Sequence, residues 1–264
     1  MRKLIAFACE GETLVGSLDE AAGTTALLVV SGGNEVRWGA HRGMALLAAR
    51  LAADGVPVLR FDRRGVGDSS GTNGGYASSA ADIVAAAATL RREQPQVTRL
   101  VGFGNCDAAS ALALFGRDAG LDAVVLANPW VVETDDLPPA AAIRRRYATR
   151  LLEPGAWWRL ATGRIDLGKL IRGLQRITTP EPQQLADRIV AAIAAWRDDA
   201  RIILAQRDAT AIAFAAAAAA RDLPTPIEHV ATASHSFARA SDAAALEAAI
   251  RAALDHREPS LRRW

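Results

Sequence analysis

The chain has 264 residues, half of them hydrophobic and 23% charged, with a formal net charge of +2. That length suits one medium domain, or one domain with a cap inserted, and the near-neutral balance gives no global field to attract nucleic acid. No apolar stretch of 18 residues is present, so no integral membrane segment is expected.

Residues 3–18 read as two short strands with a turn near Glu10-Gly11-Glu12. That acidic turn also breaks the basic and apolar start, Met1 to Phe7, too early for a secretory leader. Ala26–Ser31 is a continuous apolar run, the pattern of a strand buried on both faces, and it ends in Gly32-Gly33-Asn34. A helix is predicted from about His41 to Asp54, with Gly55 closing it. Val56–Asp62 is the next strand, followed by a glycine-rich loop over Arg63–Gly75 and a helix over Ser78–Glu93. Thr98–Gly102 is read as a strand leading into a tight turn at Gly104-Asn105-Cys106-Asp107-Ala108, and a helix follows to Phe115. Ala123–Ala127 is another buried strand, ending at Asn128-Pro129-Trp130.

From about Glu133 to Asp199 the alternation stops, and the segment reads as helical with Pro138-Pro139, Trp157-Trp158, Pro180 and Pro182 as punctuation. It resumes with strand Arg201–Ala205, a helix over Thr210–Arg221, strand Ile227–Val230 and a last helix over Ser241–His256. The alanine-rich stretch Phe214–Arg221 is a helix former with no function of its own. Strands alternating with helices give the expected fold class: α/β, a mostly parallel doubly wound sheet with an inserted helical cap. The core is assigned to 1–132 and 200–264, the cap to 133–199. Cys9 and Cys106 form no disulfide framework, so two free thiols and a cytoplasmic location are expected.

Parallel α/β sheets carry their sites at the carboxyl ends of strands. Cys106, Asp208, His235 and the turn Gly32-Gly33-Asn34 all follow predicted strands. Gly104-Asn105-Cys106-Asp107-Ala108 has the shape of a G-x-S-x-G nucleophile turn with sulfur for oxygen and Ala at the last small position. A strand-to-helix turn projects the thiol and needs small neighbours; the helix start and a histidine partner both favour thiolate. In this arrangement His235 takes the thiol proton and later protonates the leaving group, and Asp208 holds the imidazole tautomer. The expected oxyanion donors are the backbone N–H of Asp107 and one from Gly33 or Asn34. Asp107 is awkward, because a carboxylate beside the thiol opposes thiolate formation unless it points away.

Each residue also has a plainer reading. Cysteines in apolar surroundings are mostly packing residues, Asp208 precedes a helix and suits an N-cap, and His235 fits a surface loop. His41, near the glycine turn, is a substrate-contact candidate; His229 fits a packed strand position and His256 a solvated helix face. A dinucleotide site fails on detail, since Asp107 stands where Gly102-Phe103-Gly104 would need a third glycine. No metal site and no cofactor are expected.

RFDRRGVGDSSG, Arg60–Gly71, joins the turn, the glycine stretch and the late Asp and His. Together they resemble the α/β-hydrolase superfamily along nearly the whole chain, in which Asp62, Arg64, Gly65 and Asp68 would brace the loop. More narrowly, SGGNEVRWGAHRG, GNCDAASAL, ANPWV, RDATAIAF and SHSF are similar to the exosortase A system-associated hydrolase 1 family. The resemblance implies a cysteine nucleophile at Cys106 with Asp208 and His235 as acid and base. The chain departs from that family at Asn34, where proline is usual. Genes of this family sit beside exopolysaccharide and protein-sorting loci with acyl-CoA ligase-like and carrier-protein genes. An acyl ester or thioester substrate, CoA- or carrier-protein-bound, is therefore implied.

Between residues 140 and 176 nine basic residues stand against Glu153 and Asp166. This excess fits either attraction to an anionic partner or a solvated cap face. Trp130 and Trp157, with Trp158, either line an acyl slot or pack the cap. The sequence leads to a hydrolase acting through Cys106, His235 and Asp208. Two rivals stay open: an acyltransferase using the same residues, and a non-catalytic binding protein that retains the fold. Dienelactone-type hydrolysis is a further option on the same turn. Oligomeric state is not legible.

Overall fold

A computed structural model of the chain describes residues 1–132 and 184–255. Among the described residues eight strands form one sheet: β1 (Arg2–Cys9), β2 (Glu12–Asp19), β3 (Thr25–Val30), β4 (Val58–Phe61), β5 (Arg99–Asn105), β6 (Ala123–Ala127), β7 (Ala200–Ala205) and β8 (Ile227–Val230). Their spatial order is β1-β2-β4-β3-β5-β6-β7-β8. Strands β1 and β2 pair antiparallel and β2 pairs antiparallel with β4; every later pairing is parallel. The β1–β2 hairpin follows from the Glu10-Gly11 turn, where both residues take positive φ. The parallel strands follow from the long crossovers between the apolar runs.

Six helices cover the sheet among the described residues: α1 (Gly43–Ala53), α2 (Ser79–Glu93), α3 (Asp107–Phe115), α4 (Gln184–Trp196), α5 (Ala209–Ala219) and α6 (Ala240–Asp255). One face packs on α2, α3, α4 and α5, with Leu28, Leu59, Leu100, Val124, Leu126 and Ile202 among the strand contributions. The other packs on α1 and α6 through Leu27, Val58, Val101, Val125 and Ile203. Along β6, and along β3 after Thr25, residues alternate between faces yet all are apolar, which is why these runs read as continuous. Each such fully buried aliphatic side chain stabilises the fold by about 1.5–3 kcal/mol.

Four differences from the sequence reading bear on the site or the core. Strand β5 continues to Asn105 instead of ending at Gly102. Gly104 is a strand residue: a Cβ there would meet the Ala108 carbonyl carbon at 2.8 Å, so glycine lets α3 fold back tightly on the strand. The first helix begins at Gly43 because His41 and Arg42 take left-handed φ of 51° and 62° and sit in an irregular turn. β4 stops at Phe61, and Asp62 already belongs to the loop. Finally, α4 lies inside the stretch 133–199 assigned to the cap. Its Leu185, Ile189, Ile193 and Trp196 recur at helical spacing and are buried in the core. The Trp196 indole N–H donates to the Ala113 carbonyl on α3 at 3.0 Å, and the Arg117 guanidinium lies 4.3 Å over its ring. The rest of the expected cap, residues 133–183, lies outside the described residues, and Trp157, Trp158 and the arginine-rich run of 140–176 lie there too.

Candidate active site

Cys106 stands between the end of β5 and the first turn of α3 with φ 62° and ψ −127°. For a residue with a Cβ this conformation is strained, and it persists only where the surroundings over-determine it. They do. The Cys106 N–H donates to the Ala127 carbonyl at 3.0 Å, and its carbonyl accepts from the N–H groups of Ala109 at 3.1 Å and Trp130 at 3.2 Å. The Ser110 hydroxyl in turn donates to the Trp130 carbonyl at 2.6 Å. Both polar groups of the strained residue are therefore tied to β6 and to the segment beyond it, and the half-buried thiol stands at the positive end of α3. The end of β3 passes against this turn: a Cβ on Gly32 would strike the Asn105 carbonyl and lie 3.4 Å from the Cys106 Cβ.

Asp208 and His235 meet as expected. The His235 imidazole Nδ1 lies 3.0 Å from Asp208 Oδ2, and the same oxygen accepts the Ala211 N–H at 3.0 Å. One carboxylate thus both caps α5 and pairs with His235. Burial alone would raise its pKa, but the hydrogen bond and charge of His235, with the N–H groups of Ala211 and Thr210, lower it below 3.8. For His235, burial alone would lower the pKa. Hydrogen bonds to Asp208 and Cys106, and their charges, outweigh it and push the ring up to about 10. The imidazole thus has one carboxylate and one sulfur as its polar partners.

The histidine loop is fastened by two residues that the sequence reading passed over. Asn105 and Asn128 each donate a side-chain N–H to the His235 carbonyl, at 3.0 and 3.1 Å. Asn128 also donates to Asn105 Oδ1 at 2.9 Å and accepts the Ala205 N–H at 2.8 Å. Asn128 is fully buried with φ 42°, a conformation that asparagine tolerates better than most side chains. An asparagine just past a buried strand was the available signal. These bonds tie the ends of β5, β6 and β7 to the histidine loop. Buried Phe237 anchors the loop from below.

The carboxylate of Asp107 has partners other than the sulfur. Its Oδ1 accepts the Gly33 N–H at 2.6 Å and its Oδ2 accepts from Arg63 Nη2 at 2.9 Å. Of the two alternatives for the second oxyanion donor, the Gly33 N–H is therefore already engaged. The Asn34 N–H makes no hydrogen bond with the described residues; its side-chain oxygen accepts from Asn73 at 2.9 Å. The bracing role of the RFDRRG loop is visible: buried Asp62 accepts the Arg37 N–H at 2.6 Å and pairs with its guanidinium. Arg37 also reaches Asp68 at 2.8 Å, and Arg64 pairs with Asp82 at 2.6 Å. Trp130 is partly buried beside the turn, whereas His41 is exposed. Among the described residues no cluster of three or more His, Cys, Asp or Glu side chains is arranged to hold a metal, and no helix is long and apolar enough to cross a membrane.

The sheet order, with Cys106 on a strained strand-to-helix turn and Asp208 paired with His235, defines an α/β-hydrolase fold. The chain belongs to the alpha/beta hydrolase family, which it matches over residues 27–259. Solved structures of similar fold include the esterase Pf2001 of Pyrococcus furiosus, at 16% identity and TM-score 0.63, covering 96% of this chain and 90% of that one. XC6422 from Xanthomonas campestris, a serine hydrolase without lid, aligns at 14% identity and TM-score 0.60 over 97% of each chain. A thioesterase domain from the curacin biosynthetic pathway aligns at 12% identity and TM-score 0.55, over 95% of this chain and 99% of that one. No curated protein sequence matches.

Proposed function

We propose that the protein cleaves an ester or thioester by acyl transfer through Cys106 to water, with His235 as proton carrier and Asp208 as its orienting acid. The observation that carries this reading is the His235 imidazole held 3.0 Å from Asp208, together with Cys106 on a strained turn at a helix N-terminus. The Cys106 thiolate attacks the acyl carbon, and the oxyanion that forms is met by the Asp107 N–H and a second N–H from the Gly33-Asn34 turn. As the tetrahedral intermediate collapses, the carbon–oxygen or carbon–sulfur bond breaks, and the leaving group takes the His235 proton. Neutral His235 then removes a proton from water as the hydroxide adds to the acyl-cysteine. Expulsion of the Cys106 thiolate releases the acid and restores the imidazolium.

Sulfur at this position favours thioester exchange, since thiolates both attack and leave readily near neutral pH. The likeness in fold to an esterase and a thioesterase domain and the resemblance to the exosortase-associated family support the same substrate class. In this reading a CoA- or carrier-bound acyl group is the substrate. A cytoplasmic location agrees with two free thiols. Transfer to an acceptor other than water would use the same residues, and product analysis with and without acceptors separates the two.

The test is turnover of p-nitrophenyl and acyl-CoA esters by Cys106→Ala. A loss of at least about 10³-fold is expected; full activity in the variant would end the assignment.

A further inference from the structure

Asp107 stands next to Cys106, where a carboxylate is chemically unwelcome, and its side chain is engaged elsewhere in a specific way. Arg63, 2% exposed, donates through one nitrogen, Nη2, to Asp107 Oδ2 at 2.9 Å and to the Gly33 carbonyl at 2.8 Å. Its Nη1 donates to the Ser79 hydroxyl at 2.8 Å, which anchors the guanidinium to the start of α2. Asp107 Oδ1 takes the Gly33 N–H, and Asn73 donates to the Gly33 carbonyl at 3.1 Å. Gly33, at φ 55°, is thereby held at both its polar ends. In a trans peptide the C=O of one residue and the N–H of the next point in opposite directions. Fixing the Gly33 carbonyl toward Arg63 and Asn73 therefore fixes the Asn34 N–H on the other side of that peptide plane.

We infer that Arg63 and Asp107 are a positioning pair that presets the β3 turn, consuming the Gly33 N–H and presenting the Asn34 N–H as the second donor to the acyl oxygen. The inference rests on the acyl-cysteine reading above and deepens it. The pair also answers the carboxylate's awkward location: the negative charge is spent on a buried guanidinium and a backbone N–H instead of on the thiol. Neither side chain touches the reacting atoms. Their effect reaches the chemistry through the orientation of one peptide.

Two rates at the same sulfur separate this role from others. Alkylation of Cys106 by iodoacetamide needs the thiolate but no oxyanion donor, whereas acylation by p-nitrophenyl acetate needs both. In Asp107→Asn, which keeps the shape and an acceptor oxygen, acylation is expected to fall by roughly 10-fold. In Asp107→Ala the expected fall is on the order of 10²-fold, approaching the loss of one oxyanion donor. Alkylation should change by less than about 3-fold in both. Asn73→Ala, at a partly exposed position that leaves the buried pair intact, should slow acylation by about 2–5-fold and so guards against a folding defect. Parallel loss of both rates would overturn the inference and make the pair a support of the thiol itself; unchanged acylation would overturn it outright. If instead Cys106→Ala kept full turnover, the acyl-cysteine reading would fail independently of the result at Asp107.

Discussion

Cys9 and Cys106 carry the same thiol, and each has an aspartate close by, yet their surroundings differ in what governs reactivity. Cys9 sits at the regular end of β1, 5% exposed, and its thiol donates to Asp82 Oδ1 at 3.4 Å. Burial first, then the charge and hydrogen bond of Asp82, push it up to about 11. Cys106 sits on a strained turn at a helix N-terminus beside the His235 imidazole, and its neighbouring carboxylate binds Gly33 and Arg63. The lesson is that sequence proximity of an acid to a thiol decides little. Where the carboxylate spends its hydrogen bonds decides whether the thiol is held as S–H or left free to act.

That contrast breaks most visibly under alkylation. At pH 8 a thiol of pKa about 11 is ionised to roughly one part in a thousand. Iodoacetamide, followed by peptide mass spectrometry, is therefore expected to label Cys106 on the order of 10²-fold faster than Cys9. His235→Gln should narrow that ratio through Cys106 alone, by about 10-fold; comparable labelling of the two thiols in the wild type would refute the contrast.

A smaller effect sharpens it through stability. His235 is raised from 6.5 to about 10 on folding, so its contribution is complete below about pH 6.5 and is lost as pH rises through 10. Asp208 is lowered from 3.8, so its share is present above that value and is lost as pH falls through its folded pKa. Thermal denaturation of wild type and His235→Gln should therefore differ most between about pH 4 and 6.5, and the gap should close toward pH 10. A gap independent of pH would show that the imidazole gains no charged partner on folding.

Much of this architecture was readable from one chain because it is written in local patterns. Short apolar runs such as Ala26–Val30 and Ala123–Ala127, rich in valine and bounded by turn residues, suit a doubly covered parallel strand. Cys106, Asp208 and His235 stood out as candidates because each follows such a run, in the chain order expected of an α/β-hydrolase, and the structure brings Asp208 to His235. What escaped depends on contacts between distant residues. Gly104 looks like a turn residue until Ala108 is seen folded against it. The direction of Asp107 depends on Gly33 and Arg63, which lie 74 and 44 positions away. Asn105 and Asn128 are ordinary asparagines until both are found on the His235 carbonyl. α4 reads as part of an inserted helical stretch because the interruption of the strand pattern carries no mark of where the chain returns to the core.

Intact mass spectrometry after brief mixing with an activated ester addresses the nucleophile most directly. The wild-type chain is expected to gain one acyl mass, mapping to Cys106 and lost on standing as water completes the cycle, while Cys106→Ala gains none. An adduct on another residue, or turnover with no adduct and undiminished in Cys106→Ala, would contradict the role of this sulfur.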